Sequence, residues 1–406
     1  MLDLNQTQMD EKAFAPANEE EAAELLREIS RQNQTVRFVG GGTKQDRGNP
    51  RRETAVTLST LKLNELIDYQ PEDLTITVQT GMPFERLQAI LGEQGQFLPL
   101  DPPNLPGQTT GGVLSTNVSG PRRLLYGTAR DLLIGCRFVL ADGSIGHSGG
   151  KVVKNVAGYD LHKLFIGAYG TLGLLTEVTF KVTPRPSMTG AGLARFEEAE
   201  KAFAAARRCA RSNLMPSALE VVTALPREPE VYNLYFGAEG MAVAVEAQLE
   251  GLSNICREAG ASSVELVPDG AALWQRLANT STGNQYNLIL KGSTVLTGLP
   301  GATALFEKTL ATSGASGGIQ ARAGNGLIYL YAAMAEGQSE KAAELIKEAR
   351  PYFQRDGGSL VIENAPLSLR QYVDAWGDFG DTLPSQQAVK ASLDPQKLLN
   401  PGVLEF

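Results

Sequence analysis

Residues 107–184 read GQTTGGVLSTNVSGPRRLLYGTARDLLIGCRFVLADGSIGHSGGKVVKNVAGYDLHKLFIGAYGTLGLLTEVTFKVTP. Two glycine-rich loops, 107–120 (GQTTGGVLSTNVSG) and 154–173 (KNVAGYDLHKLFIGAYGTLG), flank the segment 132–150 (LLIGCRFVLADGSIGHSGG). That segment has apolar, β-branched arms around Ala141-Asp142-Gly143 and predicts a hairpin. Glycine leaves no Cβ in the way, so such loops bring bare backbone N–H groups close to a large polar ligand. Hydroxyls at Thr109, Thr110, Ser115, Thr116 and Ser119 stand beside them. The stretch reads as the wall of a cofactor site.

Upstream, residues 1–17 are polar and predicted to be loosely ordered, and 19–33 predict a helix with Leu25, Leu26 and Ile29 on one face. A short strand, Val36-Arg37-Phe38-Val39, then runs straight into Gly40-Gly41-Gly42-Thr43-Lys44. This suits either a phosphate-cradling turn or a plain tight turn; it matches neither GxxxxGK[ST] nor GxGxxG. Residues 54–59 and 75–80 predict strands, with LKLNELIDYQPED between them as a turn-rich connection, and 83–95 a helix with proline at its start. Pro184 and Pro186 mark a boundary. Beyond it, helical patterns at 197–212, 241–259, 301–312 and 339–350 alternate with short strands at 218–223, 232–237, 288–290, 327–331 and 359–362, suggesting two packed β-α-β units on an antiparallel sheet. Residues 385–406 predict a helix ending in a stiff turn, SLDPQKLLNPG.

A chain of 406 residues has room for two or three domains. A net charge of −8 gives no reason to expect nucleic acid or an anionic membrane as the main partner. Cys136, Cys209 and Cys256 are far apart and form no CxxC, so neither a disulfide framework nor an iron–sulfur or metal site is expected. No apolar run reaches the length of a membrane span and the N-terminus lacks a signal-peptide pattern, which predicts a cytoplasmic location.

Taken together, VGGGTK, LDPP, GQTTGGVLSTNVSG, YGTARDLLIGCRFVLADGS, KNVAGYDLHKLFIGAYGTLGLLTEVTFKV and the terminal LDPQKLLNP resemble the FAD-binding domain of the vanillyl-alcohol oxidase (PCMH) type joined to its cap. With SGPRR included, the chain is most similar to the FAD-binding subunit of bacterial glycolate oxidase. The resemblance covers most of the first 185 residues and the tail, and only loosely the cap. It implies an α+β fold: a two-lobed PCMH-type domain at 18–186, an α/β cap with an antiparallel sheet at 187–384, and a segment at 385–406 returning to the first domain. Carried over residue by residue, it implies that Gly40, Gly41, Gly42, Thr43 and Lys44 form the pyrophosphate loop. Thr110, Gly111, Gly112, Ser115, Ser119 and Gly120 lie along the flavin ring and ribityl chain. Tyr126, Gly127 and Asp131 support that loop, and Gly170, Gly173, Glu177 and Val178 flank the adenine half. Some relatives attach the flavin through a histidine in the first loop; Thr43 stands there, and the chain's histidines are His147 and His162, so non-covalent FAD is implied. Gly167, Gly170 and Gly173 lead into a predicted strand, not a helix, which rules out a Rossmann fingerprint.

Each assignment has a plainer structural counterpart. The glycines serve as sharp turns, Asp131 caps local backbone, Cys136, Trp274 and Trp376 pack the core, and Lys291 and Arg322 are solvated surface charges. Tyr159 and Asp160 either touch flavin or pack the hairpin. Oxidation of a 2-hydroxy acid also needs a base or Lewis acid at the hydroxyl. Catalytic relatives use cap histidines, yet this chain has no histidine after His162. Arg322-Ala323-Gly324-Asn325-Gly326 resembles an eroded His-x-Gly-Asp-Gly motif, and Glu363 stands near the second histidine position. The resemblance therefore implies a cofactor-binding subunit of a glycolate oxidase complex, acting with a catalytic flavoprotein subunit and an iron–sulfur subunit. The complex would attach it at most peripherally to the inner face of the plasma membrane. A stand-alone flavin dehydrogenase using Tyr329, Tyr331 or Glu363 as base, a flavin-binding scaffold without turnover, and a cofactor-free descendant are the alternatives.

Overall fold

The computed structural model describes residues 12–151, 159–223, 231–282 and 285–404. The expectation for residues 1–11, and that part of the second glycine loop spanning 154–158, lie outside these.

Among the described residues, the short strands β1 (Lys12–Phe14), β2 (Val36–Val39) and β3 (Val56–Ser59) form a parallel sheet in the order β1-β3-β2. Residues 12–14 are thus a strand and not the loose segment expected, because they pair with Val56, Thr57 and Leu58. Helix Glu19–Arg31, capped by the Asn18 side chain, buries Ala22, Leu26 and Ile29 against Val36 and Leu58.

The second sheet takes β4 (Leu66–Gln70) and β5 (Thr75–Gln79). The next short strand, β6 (Gln96–Phe97), pairs elsewhere. The hairpin β7 (Leu133–Val139) and β8 (Ile145–Gly149), with β9 (Leu174–Lys181), completes an antiparallel sheet ordered β4-β5-β9-β7-β8. β4 corrects the expected turn-rich connection: half-exposed at the sheet edge, it lacks the apolar alternation that would announce it. The 107–120 loop also contains a helix, Thr110–Thr116, capped by the Thr109 hydroxyl.

After β10 (Thr183–Pro184), which closes onto β6, come β11 (Met188–Phe196), β12 (Ala218–Thr223), β13 (Tyr232–Gly240), β14 (Ser263–Val267), β15 (Leu288–Ser293), β16 (Ser316–Arg322), β17 (Leu327–Ala333) and β18 (Ser359–Asn364). They build one antiparallel sheet, β14-β11-β13-β12-β16-β17-β15-β18. With helices Ala199–Arg211, Ala242–Glu258, Leu299–Ser313 and Ser339–Gln354, the order strand-helix-strand-strand-helix-strand occurs twice. Each half arranges its strands 4-1-3-2, and the halves meet edge to edge at β12 and β16. β11, β14 and β16 are not among the strands the sequence predicts, so only part of this duplication is visible there.

All four helices cover one sheet face, where Leu219, Phe236, Leu290, Ile319, Leu330 and Ile362 form the core. Strand alternation therefore sends Glu220, Glu239, Lys291, Gln320, Arg322, Tyr329, Tyr331 and Glu363 to the opposite face, much of which meets the first lobe. The tail forms helix Leu383–Leu393, which starts just before the expected Ser385 and ends where SLDPQKLLNPG begins. It then turns on Asp394, whose buried carboxylate accepts from the N–H groups of Leu398 and Leu399 and from Lys390 Nζ. That turn lays the tail against β2, with Val36 N–H donating to Leu398 O and Asn400 N–H to Val36 O.

Candidate functional site

The glycine loop after β2, the start of the Thr110–Thr116 helix, the turn at Tyr169-Gly170 and Asn400 from the tail surround a cleft that is partly open to solvent. Gly40, Gly41, Gly42, Thr43, Lys44, Gly111, Gly112, Ser115, Gly170 and Gly173 all line it. Thr109 and Thr116, whose hydroxyls the sequence sets beside the second loop, line it too, and so do Gln45, Arg51, Thr60, Thr80, Tyr169 and Asn400, which the sequence does not single out for ligand contact. The tail carried a signal, since Asn-Pro after Leu-Leu marked a stiff turn. Nothing local marked Arg51.

Backbone packing dictates the first loop. A Cβ on Gly41 would stand 1.8 Å from the Gly107 carbonyl oxygen, so the loop can approach the 107–109 segment only as glycine. Gly42 has φ +71 and open space where a Cβ would be, in a loop that faces the cleft. Among the described residues the N–H groups of Gly41, Gly42 and Thr43 have no protein acceptor. The second loop differs from expectation here. Its glycine N–H groups at the cleft are already used, Gly111 donating to Thr80 O and Gly112 to Thr109 Oγ1, and Thr110 N–H donates to Met82 O. Asn400 ties the walls together: Oδ1 accepts from Phe38 N–H at 2.7 Å and Nδ2 donates to Tyr169 O at 2.6 Å.

Several expected cofactor residues are placed elsewhere. Thr110 is buried and donates its hydroxyl to Met82 O. Val178 sits in the core with Ile76 and Phe180, and Glu177 points to Arg137 on the neighbouring strand. Asp131 closes a capping box with Thr128 beneath Gly127, the plainer of its two readings. Tyr159 is exposed.

Ser119, Gly120 and Tyr126 serve the contact between lobes. Asp101 accepts from the N–H groups of Gly120 at 2.8 Å and Arg122 at 2.9 Å, fixing the SGPRR turn. Ser119 Oγ then accepts from Arg123 at 3.2 Å and from Arg322 of the cap at 3.3 Å. Arg122 pairs with Glu239 at 3.0 Å, and the Tyr126 hydroxyl donates to the same carboxylate at 2.8 Å. Arg322, expected at the surface, is only 6% exposed; it lies over the Tyr329 ring and 3.8 Å from Glu220. Burial pushes the Glu220 carboxyl up to about 7, with Arg322 and Gln320 opposing in part. The eroded motif packs as well: a Cβ on Gly324 would meet Leu124 at 2.6 Å.

A second interlobe cluster borders the cleft. Glu363 of β18 pairs with Arg47, three residues beyond Lys44, and with Lys291 Nζ at 3.3 Å. Burial works against its charge, but the Arg47 guanidinium and Lys291 ammonium hold the carboxyl at about 2. Lys291 is thus an ion-pair partner, not a free surface charge. Lys44 Nζ is buried and has no hydrogen-bond partner. Burial, with the Arg47 charge second, pushes its pKa down to about 7, Glu363 opposing.

Free N–H groups on a glycine loop and an unpartnered ammonium, both lining one cleft, fit an anionic dinucleotide such as FAD. Comparison with known proteins agrees. Residues 11–149 match the family model described as "FAD binding domain", and residues 185–404 that described as "FAD linked oxidases, C-terminal domain". Glycolate oxidase subunit GlcD of Bacillus subtilis (strain 168) is 32% identical over 63% of this chain and 57% of its own length. Glycolate oxidase subunit GlcE of Escherichia coli (strain K12) is 40% identical over 36% of this chain and 42% of its own. The mitochondrial D-lactate dehydrogenase [cytochrome] 1 of Saccharomyces cerevisiae is 32% identical over 51% and 35%. The match thus spans about half the length of these curated relatives, or less. Among solved structures, alkyldihydroxyacetonephosphate synthase superposes with a TM-score of 0.70 at 19% identity, covering 97% of this chain and 77% of that one, which speaks to the fold alone. Matched in both its lobes, the chain belongs to the FAD-linked oxidases, with FAD as cofactor.

Proposed function

We propose that the protein is an FAD-linked oxidoreductase acting on the CH–OH group of a small hydroxy acid, and that it does so as the FAD-binding subunit of a glycolate (2-hydroxy acid) oxidase or dehydrogenase complex. In this reading residues 18–186 with 385–406 hold FAD non-covalently, and 187–384 form a cap over it. A catalytic flavoprotein subunit and an iron–sulfur subunit complete the complex in the cytoplasm, attached to the membrane at most peripherally. Among the described residues no helix is long and apolar enough to cross a membrane.

The carrying observation is the state of Glu363. It is the acidic group that the cap brings to the cleft border, and two cations hold it ionised at about 2. A carboxylate that weak as a base is far from the near-neutral pKa that suits proton abstraction. When bound, FAD supplies an acceptor for the hydride leaving the substrate carbon. The protein's own part is then to seat the pyrophosphate on Gly40–Thr43, shield the ring from water and hold the cap shut through Arg47, Arg122 and Arg322. The base is assigned to the partner flavoprotein.

One observation favours a stand-alone enzyme. Glu220, with its carboxyl near 7, has the proton affinity a base needs, although it lies behind Arg322 and outside the cleft lining. An anaerobic absorbance spectrum before and after adding glycolate separates the two. Oxidised flavin that persists until a histidine-bearing flavoprotein subunit is added supports the subunit reading. Bleaching of the isolated chain refutes it.

A further inference from the structure

We propose that Lys44 is the counter-ion of an anionic group of the bound cofactor, and that binding is coupled to uptake of a proton at its Nζ. The inference rests on the assignment of the cleft to FAD and concerns a side chain, where the loop itself was read for its backbone. Nζ is buried without a partner in a segment that lines the cleft. Its surroundings are cationic. Arg47 lies on the same loop and disfavours the charge of Lys44, while Glu363 on β18 opposes; that carboxylate is already shared by Arg47 and by Lys291 of β15. Tyr169 and Tyr329 complete the ring around Arg47, and burial with a nearby carboxylate keeps the Tyr169 hydroxyl protonated. Asp46, on the same loop, faces Arg51 and Arg370 instead. Lys44, Arg47 and Lys291 therefore share the one carboxylate of Glu363, and a buried ammonium in that company gives up its proton easily unless an anion arrives.

The anion has two possible sources on FAD, the pyrophosphate and the ring of the reduced flavin, and the experiment separates them. Apoprotein is titrated with FAD by calorimetry in buffers of different ionisation enthalpy, for the wild type, Lys44→Met and Lys44→Arg. With Lys44 near 7 in the free protein, linkage gives uptake of about 0.9 proton at pH 8 and about 0.1 at pH 6. The wild-type dissociation constant for FAD then rises about 50-fold from pH 7 to pH 9. Lys44→Met binds weakly throughout and takes up no such proton, and Lys44→Arg restores affinity without the pH dependence. The same uptake with ADP places the anion at the pyrophosphate. Uptake that appears only when bound FAD is reduced places it at the ring. Tight FAD binding with no difference in proton uptake between wild type and Lys44→Met, in either redox state, overturns the proposal and leaves the cofactor assignment standing. A chain that takes up no FAD at any pH overturns both.

Discussion

Replacing Glu363 by glutamine removes the carboxylate that joins the glycine loop to the cap, and the structure sets the size of the loss. The carboxyl falls from an ordinary 4.5 to about 2 on folding. A difference of about 2.5 pKa units corresponds to about 3 kcal/mol of stability at neutral pH. Breaking one partner of a buried pair costs a similar amount, about 3–5 kcal/mol, because Arg47 and Lys291 are left without their counter-charge. The sign follows from the depressed pKa. The contribution is fully present above about pH 4.5 and fades as pH drops toward 2, to roughly 1 kcal/mol by pH 3. Urea unfolding followed by tryptophan fluorescence suits the measurement, since Trp376 packs 5.0 Å from Tyr169 at this contact. The expected result is a Glu363→Gln variant destabilised by about 3 kcal/mol at pH 7, converging on wild type in acid. A variant within about 1 kcal/mol of wild type at pH 7, or a gap that widens as the pH falls, would refute the pairing and reopen Glu363 as a base.

Glu220 carries the opposite sign. Its carboxyl is raised on folding to about 7, so ionisation opposes folding, and wild-type stability should fall relative to Glu220→Gln as pH rises from about 4.5 to about 7; equal slopes in both proteins would contradict this. Gly41→Val should lose FAD while the cap keeps its far-ultraviolet circular dichroism, because the new Cβ collides with the Gly107 carbonyl and lifts the loop away. Normal flavin content in that variant would count against the loop as a cofactor seat.

The first lobe was legible because its signals are local. A strand running into three glycines, a hairpin around Asp-Gly, and a tail in which Asp394 answers Leu398 and Leu399 are all written within a few residues of where they act. Other parts hid for identifiable reasons. β11 (MTGAGLARF) and β16 (SGGIQAR) are rich in small residues that ordinarily weaken a strand. Packing demands them here: a Cβ on Gly192 would stand 2.2 Å from the Phe236 ring, and one on Gly317 2.0 Å from the Tyr331 carbonyl oxygen. SGPRR lies in the stretch that reads as a cofactor wall, yet its serine bonds a residue 203 positions away. No spacing in the sequence announces such a meeting.

Alternation could have found the cap's share. Lys291, Gln320, Arg322, Tyr329 and Glu363 each stand one step from residues of the helical core, on strands otherwise largely apolar. A period-2 polar residue on a buried strand must face something, and here much of that face meets the first lobe. Once the register is known, the charges sort themselves. Arg47, Arg122 and Arg322 meet carboxylates or hydroxyls across the lobes and act as clamps, whereas Lys44, three residues before Arg47, makes no hydrogen bond. The lobes are therefore held together by interactions the protein completes by itself, and the ammonium left unanswered belongs to the loop that also presents free N–H groups to the cleft. Clamp and cofactor seat share one ion-pair cluster, so loss of Glu363 should reach the flavin through Arg47 as well as loosening the cap.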